Sequence, residues 1–159
     1  GSGCLLLSLL HELPNATGVG VDLAPEAVKT AQENARHLNL SKRAEFMISR
    51  WGDQLTEIFD LVISNPPYIP SPEIETLMPE VRAYDPRLAL DGGDDGLEAY
   101  RQLALCIPPL LNPENPDALV ILEIGKGQED AVRDLMPLRC TERKADLAGI
   151  IRTLIFDKR

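Results

Sequence analysis

Short apolar runs alternate with helical patterns along the whole chain, and this alternation constrains the fold more than any other feature. The strand-like runs lie at 17–22, 44–49, 59–64, 119–124 and 150–156. The helical patterns lie at 4–12, 25–38, 96–107 and 128–136. Within the run at 59–64, Leu61 to Ile63 are consecutive apolar residues, which is typical of a strand covered on both faces. Strands that alternate with helices in this way predict a doubly wound α/β sheet.

Composition limits the domain count and the class of partner. The chain has 159 residues, the size of about one domain, and shows no repeat, linker or low-complexity tract. Sixteen Lys and Arg against twenty-five Asp and Glu give a net charge of −9, which argues against gripping nucleic acid by bulk charge. No apolar run reaches the ~18–20 residues of a membrane span.

Cysteine and histidine usage excludes two small-domain classes. Cys4, Cys106 and Cys140 lie far apart without a Cys-x-x-Cys pair, and His11 and His37 lie in different surroundings. This distribution predicts no metal site and no disulfide scaffold, and it fits a reducing, cytoplasmic location.

Residues at one predicted turn and at two predicted strand ends suggest a nucleoside site. Ligands of doubly wound sheets bind beyond the carboxyl ends of the strands. Gly1 and Gly3 flank a turn before a helix, where backbone can approach a ligand closely. Asp22 follows Gly3 by 19 residues, near the offset at which an acid meets ribose hydroxyls. Trp51 follows the next strand and can stack on an adenine.

Each of these residues also has a purely structural explanation. Gly-Ser-Gly is a common cloning remnant, Asp22 precedes the helix that starts near Pro25, and Trp51 can simply pack at a rim. The residues alone therefore predict a nucleoside cofactor without choosing between NAD, a flavin and S-adenosylmethionine. A complete Gly-x-Gly-x-x-Gly pattern is absent, since Leu6 occupies its last position, and this disfavours NAD.

Asn65-Pro66-Pro67-Tyr68 is the most informative tetrapeptide. The two prolines fix φ and remove two N–H donors, which leaves a stiff loop whose carbonyl groups only accept hydrogen bonds. Asn65 adds a side-chain carbonyl and Tyr68 an aromatic face. Such a loop suits a planar –NH2 group, because two acceptors take its hydrogens while the nitrogen lone pair points toward an electrophile. A plain Pro-Pro turn after a strand is the structural alternative.

Several separate motifs resemble the HemK/PrmC family of class I S-adenosylmethionine-dependent methyltransferases. Besides Gly-Ser-Gly, Asp22 and the 65–68 loop, the similar segments are Tyr68-Ile69-Pro70, Glu80-Val81-Arg82, Asp85-Pro86, 88–97, 122–125 with Gln128, and 146–149. The resemblance implies a Rossmann-like fold with an antiparallel last strand. It also implies methyl transfer to the glutamine amide in the Gly-Gly-Gln loop of peptide chain release factors, in translation termination.

The resemblance assigns roles residue by residue. Gly1 and Gly3 would bind the methionine side of S-adenosylmethionine, Asp22 the ribose and Trp51 the adenine neighbourhood. Asn65 would bind both cofactor and substrate, and it would share the two amide hydrogens with the Pro66 carbonyl. Pro67 belongs to the same substrate loop, and Tyr68 would pack on the amide plane. The product would be S-adenosylhomocysteine, and no metal is implied.

The chain departs from the family pattern at its start. The family's cofactor motif begins with a buried strand that ends in Asp-Leu-Gly-Thr, and an N-terminal helical domain precedes it; neither is in this sequence. We therefore expect residues 1–159 to be an N-terminally truncated catalytic domain whose first strand is missing. Neighbouring strands would then keep unpaired backbone groups, at about 1–3 kcal/mol each where buried.

Three alternatives stay open from the sequence. The same loop chemistry serves an exocyclic amine of a nucleic-acid base, although the acidic charge and the absence of a basic stripe disfavour that substrate. A ribosomal-protein glutamine is a closely related protein substrate. A non-catalytic, truncated fragment is the alternative of a different class. We expect a monomer that contacts a release factor and neither nucleic acid nor a membrane.

Overall fold

The computed structural model describes residues 1–158 and divides at Leu55 into two compact units. The first unit contains α1 (Cys4–Glu12), β1 (Gly18–Asp22), α2 (Pro25–His37) and β2 (Ala44–Ile48). The second contains β3 (Leu61–Ser64), α3 (Pro79–Tyr84), α4 (Arg87–Leu90), α5 (Glu98–Cys106), β4 (Leu119–Glu123), α6 (Glu129–Leu135), β5 (Arg139–Ala145) and β6 (Ile151–Asp157). Two 3₁₀ turns lie at Ser71–Thr76 and Pro108–Leu110.

The first unit packs two helices on a two-stranded parallel sheet. β1 and β2 pair in register from Gly18 opposite Ala44 to Asp22 opposite Ile48. The core consists of apolar residues from α1, α2, β2 and the segment between α2 and β2: Leu7, Leu10, Val28, Ala31, Ala35, Leu40, Ala44 and Phe46. Only one face of α1 is buried, because Cys4 and Leu5 remain exposed.

Glycines in β1 let neighbouring side chains lie directly on the strand. A Cβ atom at Gly18 would be 2.5 Å from Leu6 Cδ1, and one at Gly20 would be 2.6 Å from Phe46 Cδ1. Such distances are far below van der Waals contact, so a larger residue at either position would displace these side chains. The glycines therefore set the close approach of α1 to the strand that carries Asp22.

The second unit is built on a four-stranded mixed sheet in the order β3-β4-β6-β5. β3 and β4 are parallel, whereas β6 runs antiparallel to both β4 and β5. The antiparallel last strand is thereby confirmed. The fully buried side chains of the second unit lie on β4, β6, α5, α6 and the connecting segments: Tyr100, Ile107, Leu111, Val120, Leu122, Ile124, Val132, Leu154 and Phe156.

Most predicted elements are confirmed, and three are missing from the sequence prediction. β5, α3 and α4 were not predicted. β5 carries mostly exposed charged side chains and lies at the sheet edge, so its sequence lacks apolar alternation. Leu38, predicted on the apolar face of α2, is 56% exposed because the helix ends at His37 and Leu40 turns inward instead.

Four strands have only one hydrogen-bonded neighbour each within residues 1–158. β1 and β2 pair only with each other, β3 pairs only with β4, and β5 pairs only with β6.

Membrane-spanning character is absent from every helix within residues 1–158, since none is both long enough and apolar enough to cross a bilayer.

Candidate active site

The turn before α1 places Gly3 in the left-handed region, with φ +78°. Its carbonyl accepts the first helical hydrogen bond, from the Leu7 N–H at 2.9 Å. A Cβ atom at Gly3 would be 2.8 Å from Phe46 Cζ and 3.0 Å from Ala31 Cβ. Both the backbone angle and the space therefore require glycine here.

Asp22 ends β1 with a carboxylate that is partly open. The Ala24 N–H donates to Asp22 Oδ1 at 2.8 Å, and the Gly1 amino group forms an ion pair with Oδ2. The side chain is 28% exposed, which leaves acceptor capacity on the oxygens. Asp22 thus lies at the predicted carboxyl end of the strand, next to the Gly1–Gly3 turn.

The end of β2 lies beside Asp22. The Ser49 N–H donates to the Asp22 carbonyl at 3.0 Å, which ties the two strand ends together. Trp51 follows two residues later at φ +50°, an uncommon conformation for a bulky residue, and its side chain is half-buried. The first unit therefore places Asp22 beside both Gly1 and the end of β2, and Trp51 follows that strand end in the chain.

The Asn-Pro-Pro-Tyr loop follows β3 in the second unit. Asn65 is exposed, Pro66 is buried, and Pro67 and Tyr68 are half-buried. Beyond the loop, the Ile69 N–H donates to the Leu90 carbonyl at 3.0 Å. The loop therefore presents one exposed amide side chain on a stiff backbone, as its sequence predicts.

The Gln128 side chain connects this loop to two other segments. Gln128 Nε2 donates to the Tyr68 carbonyl at 3.0 Å and to the Gly96 carbonyl at 3.3 Å. Gln128 Oε1 accepts the Gly125 N–H at 2.9 Å. One primary amide thus uses both of its N–H donors and its oxygen on three backbone segments.

Glycines make room around Tyr68. A Cβ atom at Gly92 would be 2.9 Å from Tyr68 Cα, and one at Gly96 would be 2.5 Å from the Tyr68 carbonyl oxygen. At Gly125 a Cβ atom would be 3.1 Å from Tyr68 Cδ2. Gly96 also has a φ of +74°. The glycine-rich stretch after the loop is therefore packed on Tyr68.

A network centred on Asp91 holds the segment that follows Tyr68. The Ser71 hydroxyl and the Gly93 N–H donate to Asp91 Oδ1 at 2.5 and 3.0 Å, and Arg87 Nε donates to Oδ2 at 3.1 Å. These hydrogen bonds, led by that of Ser71, hold the pKa of Asp91 below its usual value. The carboxylate therefore stays ionised at neutral pH and keeps these donors in place.

Tyr100 lies on α5 and is fully buried. Its hydroxyl donates to the Glu123 carbonyl at 2.9 Å, at the carboxyl end of β4. Burial, assisted by the nearby Tyr68 and Glu123, raises the pKa of Tyr100 far above its usual value. Tyr100 therefore remains a neutral hydrogen-bond donor at physiological pH.

Sequence reasoning missed the groups that support the loop. Asp91, Gly96 and Gln128 belong to the motif segments, but the sequence predicted no role for them, and it predicted none for Tyr100. Asp91, Gly96 and Gln128 share one signal, since they lie in glycine-containing segments that follow the loop or a predicted strand, whereas Tyr100 lies inside a predicted helix and carries no such signal. Within residues 1–158, no three His, Cys, Asp or Glu side chains lie together as a metal site.

Solved structures define the class of fold. A ribosomal protein L11 methylase from Lactobacillus delbrueckii is 18% identical to this chain, with a TM-score of 0.68 over 100% of this chain and 66% of that one. An RNA methyltransferase from Salinibacter ruber, in complex with S-adenosyl-L-homocysteine, is 16% identical, with a TM-score of 0.59 over 98% of this chain and 73% of that one. The fold is that of the class I S-adenosylmethionine-dependent methyltransferases.

Sequence comparison then gives the family. The methyltransferase domain family model matches residues 1–103, and the chain belongs to this family. A release factor glutamine methyltransferase from Rhodospirillum rubrum is 47% identical over 162 residues, which cover 100% of this chain and 49% of the relative. One from Caulobacter vibrioides is 51% identical over 136 residues, 85% of this chain and 46% of the relative. The resemblance to the HemK/PrmC family is confirmed, and the chain spans about half the length of these relatives.

Proposed function

We propose that this chain carries the catalytic domain of a release factor glutamine methyltransferase. The substrate would be the side-chain amide of glutamine in the Gly-Gly-Gln loop of a peptide chain release factor. The observation that carries the proposal is the 47% identity to a relative of that name across the whole chain, the 65–68 loop included. The exposed Asn65 amide, on a loop directly after a parallel strand, agrees with it.

The first unit has the features that S-adenosylmethionine needs. Gly3 leaves the backbone open at the start of a nine-residue helix, and Asp22 offers a partly exposed carboxylate for the ribose hydroxyls. Trp51 supplies an aromatic face near the end of the adjacent strand. When bound, the cofactor supplies an electrophilic methyl group on a sulfonium.

The second unit has the acceptors for a planar amide. The Asn65 side-chain oxygen and the Pro66 carbonyl would each accept one of the two hydrogens on the glutamine nitrogen. Tyr68 would pack on the amide plane. An amide nitrogen is a poor nucleophile because its lone pair is delocalised, so orientation is the main service that the loop provides. Well-oriented reactants gain about 7–11 kcal/mol relative to free ones in solution.

A strong base is unnecessary in this proposal. The nitrogen would gain positive charge as its bond to the methyl carbon forms and the carbon–sulfur bond breaks, which would leave S-adenosylhomocysteine, and its proton would then pass to water. Tyr100 is unsuited to that step, since it is buried and its hydroxyl donates to the Glu123 carbonyl. The residues of the site therefore bind and orient the amide.

The proposed function also gives expectations for the cellular location of the reaction and for the oligomeric state of the enzyme. A release factor acts on ribosomes, so the reaction belongs in the cytoplasm, without a membrane partner. All the residues proposed for the site come from one chain, which is consistent with a monomeric enzyme. The net charge of −9 favours a protein substrate over nucleic acid.

A methyl-transfer assay tests the proposal. The full-length protein is incubated with S-adenosylmethionine labelled on its methyl group and with a purified release factor. A second reaction uses the same factor with Gln→Ala in its Gly-Gly-Gln loop, and a third uses nucleic acid. We expect label on the unaltered factor alone. Label on both factors would contradict the glutamine target, and label on nucleic acid would favour the base-amine alternative.

A further inference from the structure

Gln128 occupies a position that the proposed methyl transfer does not yet use. It precedes α6 and lies 60 residues from Tyr68 and 32 residues from Gly96 in sequence. Its amide nevertheless contacts both of these residues and Gly125. Three chain segments thus meet at one half-buried side chain: the end of the substrate loop, the glycine-rich stretch and the end of β4.

The backbone around Gln128 leaves space for this amide. A Cβ atom at Gly125 would be 2.6 Å from Gln128 Oε1, and one at Gly96 would be 2.7 Å from Gln128 Nε2. Glycines at both positions therefore let the amide come within hydrogen-bond distance of the main chain. Because every N–H and the oxygen of the amide have a partner, the side chain has one favoured orientation.

The Tyr68 carbonyl is an effective point at which to hold the loop. Pro66 and Pro67 have fixed φ angles and no N–H groups, so neither can anchor the loop by donating a hydrogen bond. Because the proline φ angles make the loop backbone stiff, a hydrogen bond that holds the Tyr68 carbonyl also limits the movement of the carbonyls that precede it. The Pro66 carbonyl, a proposed acceptor for the substrate amide, lies two residues before that anchor.

We propose that Gln128 is a positioning residue that fixes the acceptor loop for methyl transfer. The inference rests on the proposed function of the Asn-Pro-Pro-Tyr loop. Gln128 itself touches neither cofactor nor substrate in this account. It acts through Tyr68, so its loss should lower the rate of transfer and leave cofactor affinity intact.

Two substitutions separate this role from simple stability. Gln128→Met keeps the approximate shape of the side chain and removes all three hydrogen bonds. Gln128→Glu keeps an acceptor for the Gly125 N–H but turns its other oxygen toward two carbonyl oxygens. Gln102→Met and Gln102→Glu are matched controls, because the Gln102 side-chain amide donates to Glu98 within α5, away from the Asn-Pro-Pro-Tyr loop in sequence.

The kinetic expectation is a drop in kcat of about 10- to 100-fold for both Gln128 variants, since misplacement of a positioning group by about 1 Å costs on this scale. The affinity for S-adenosylmethionine, measured by calorimetry, should equal that of the wild type. Relative to wild type at the same pH, Gln128→Glu should recover rate as the pH is lowered, because a protonated carboxyl group regains one donor. Gln128→Met should show no such recovery.

Hydrogen exchange gives a readout that is independent of turnover. The Ile69 N–H bonds to the Leu90 carbonyl and the Gly92 N–H to the Ile69 carbonyl, at 3.0 and 2.8 Å. Both amides should exchange faster in the Gln128 variants, while the amide of Ile121 in β4 should not change. Wild-type kcat with unchanged exchange in Gln128→Met would overturn the inference. If the wild-type protein transfers no methyl group, the proposed function fails and the exchange result alone supports or overturns the anchoring.

Discussion

At the scale of single residues, Gly96 and Gly127 share a left-handed backbone conformation but differ in the space around a Cβ atom. Both have a positive φ, +74° and +79°, but a Cβ atom at Gly96 would be 2.5 Å from the Tyr68 oxygen, whereas nothing lies within 4 Å of one at Gly127. Alanine at either position meets the same backbone strain, about 1–2 kcal/mol. Only alanine at Gly96 also displaces the substrate loop.

We expect Gly96→Ala to cost about 1–3 kcal/mol more free energy of unfolding than Gly127→Ala, since overpacking adds to the strain. Methyl transfer should fall strongly in Gly96→Ala and change little in Gly127→Ala. Denaturant titration and the transfer assay measure the two effects. Equal stability and equal activity of the two variants would contradict the packing of Gly96 on Tyr68.

Asn65 gives a second prediction at this scale. Its side chain is exposed, so Asn65→Ala should leave the melting temperature nearly unchanged. It removes one of the two proposed acceptors for the substrate amide, and we expect transfer to fall about 100-fold or more. Gln54→Ala, at another exposed amide, is a control for the loss of a surface amide. A merely twofold loss of rate would mean that Asn65 has another role.

The sequence predicted the residues of the Asn-Pro-Pro-Tyr loop but not the residues that hold this loop in place. Asn65 to Tyr68 are consecutive, so their chemistry is visible without a structure. Gln128 and Tyr68 are 60 residues apart, and only the fold brings the amide to the carbonyl. The same holds for Tyr100 and Glu123, which are 23 residues apart.

At the scale of elements, apolar runs and helical spacing predicted five of the six strands and the four longer helices. β5 was missed because its side chains are mostly exposed and charged, so its strand character comes from pairing with β6. The short helices α3 and α4 lie in a proline-rich stretch, where too few residues exist to show a period.

The start of α5 carries a prediction of pH dependence. Asp95 accepts hydrogen bonds from Arg101 and from the Leu97 N–H, and the Arg101 contact chiefly lowers the pKa of Asp95 to about 2. A carboxyl group with a lowered folded-state pKa stabilises the fold above its unfolded pKa, about 3.9. That contribution is lost as the pH falls from about 4 toward about 2.

Asp95→Asn should therefore lower the melting temperature modestly at neutral pH, because the ion pair is exposed. The difference from wild type should shrink as the pH falls toward about 2, where the wild-type carboxylate is protonated too. Asp94→Asn, at the adjacent exposed acid, should show no such trend. A difference between Asp95→Asn and wild type that is constant from pH 7 to pH 2 would contradict the assignment.

At the scale of the whole molecule, the described residues form two sheets, one of two strands and one of four. The doubly wound class was predictable because strand and helix patterns alternate along the entire chain. The family followed from several separate motifs, and relatives of 44–51% identity confirm it.

The most direct test of the central claim is the position of the transferred methyl group on the substrate. After reaction of the full-length protein with S-adenosylmethionine and a release factor, peptides of the factor are fragmented in a mass spectrometer. We expect one added methyl group on the side-chain nitrogen of the glutamine in the Gly-Gly-Gln loop. An unmodified glutamine there, or a methyl group on any other residue, would contradict it.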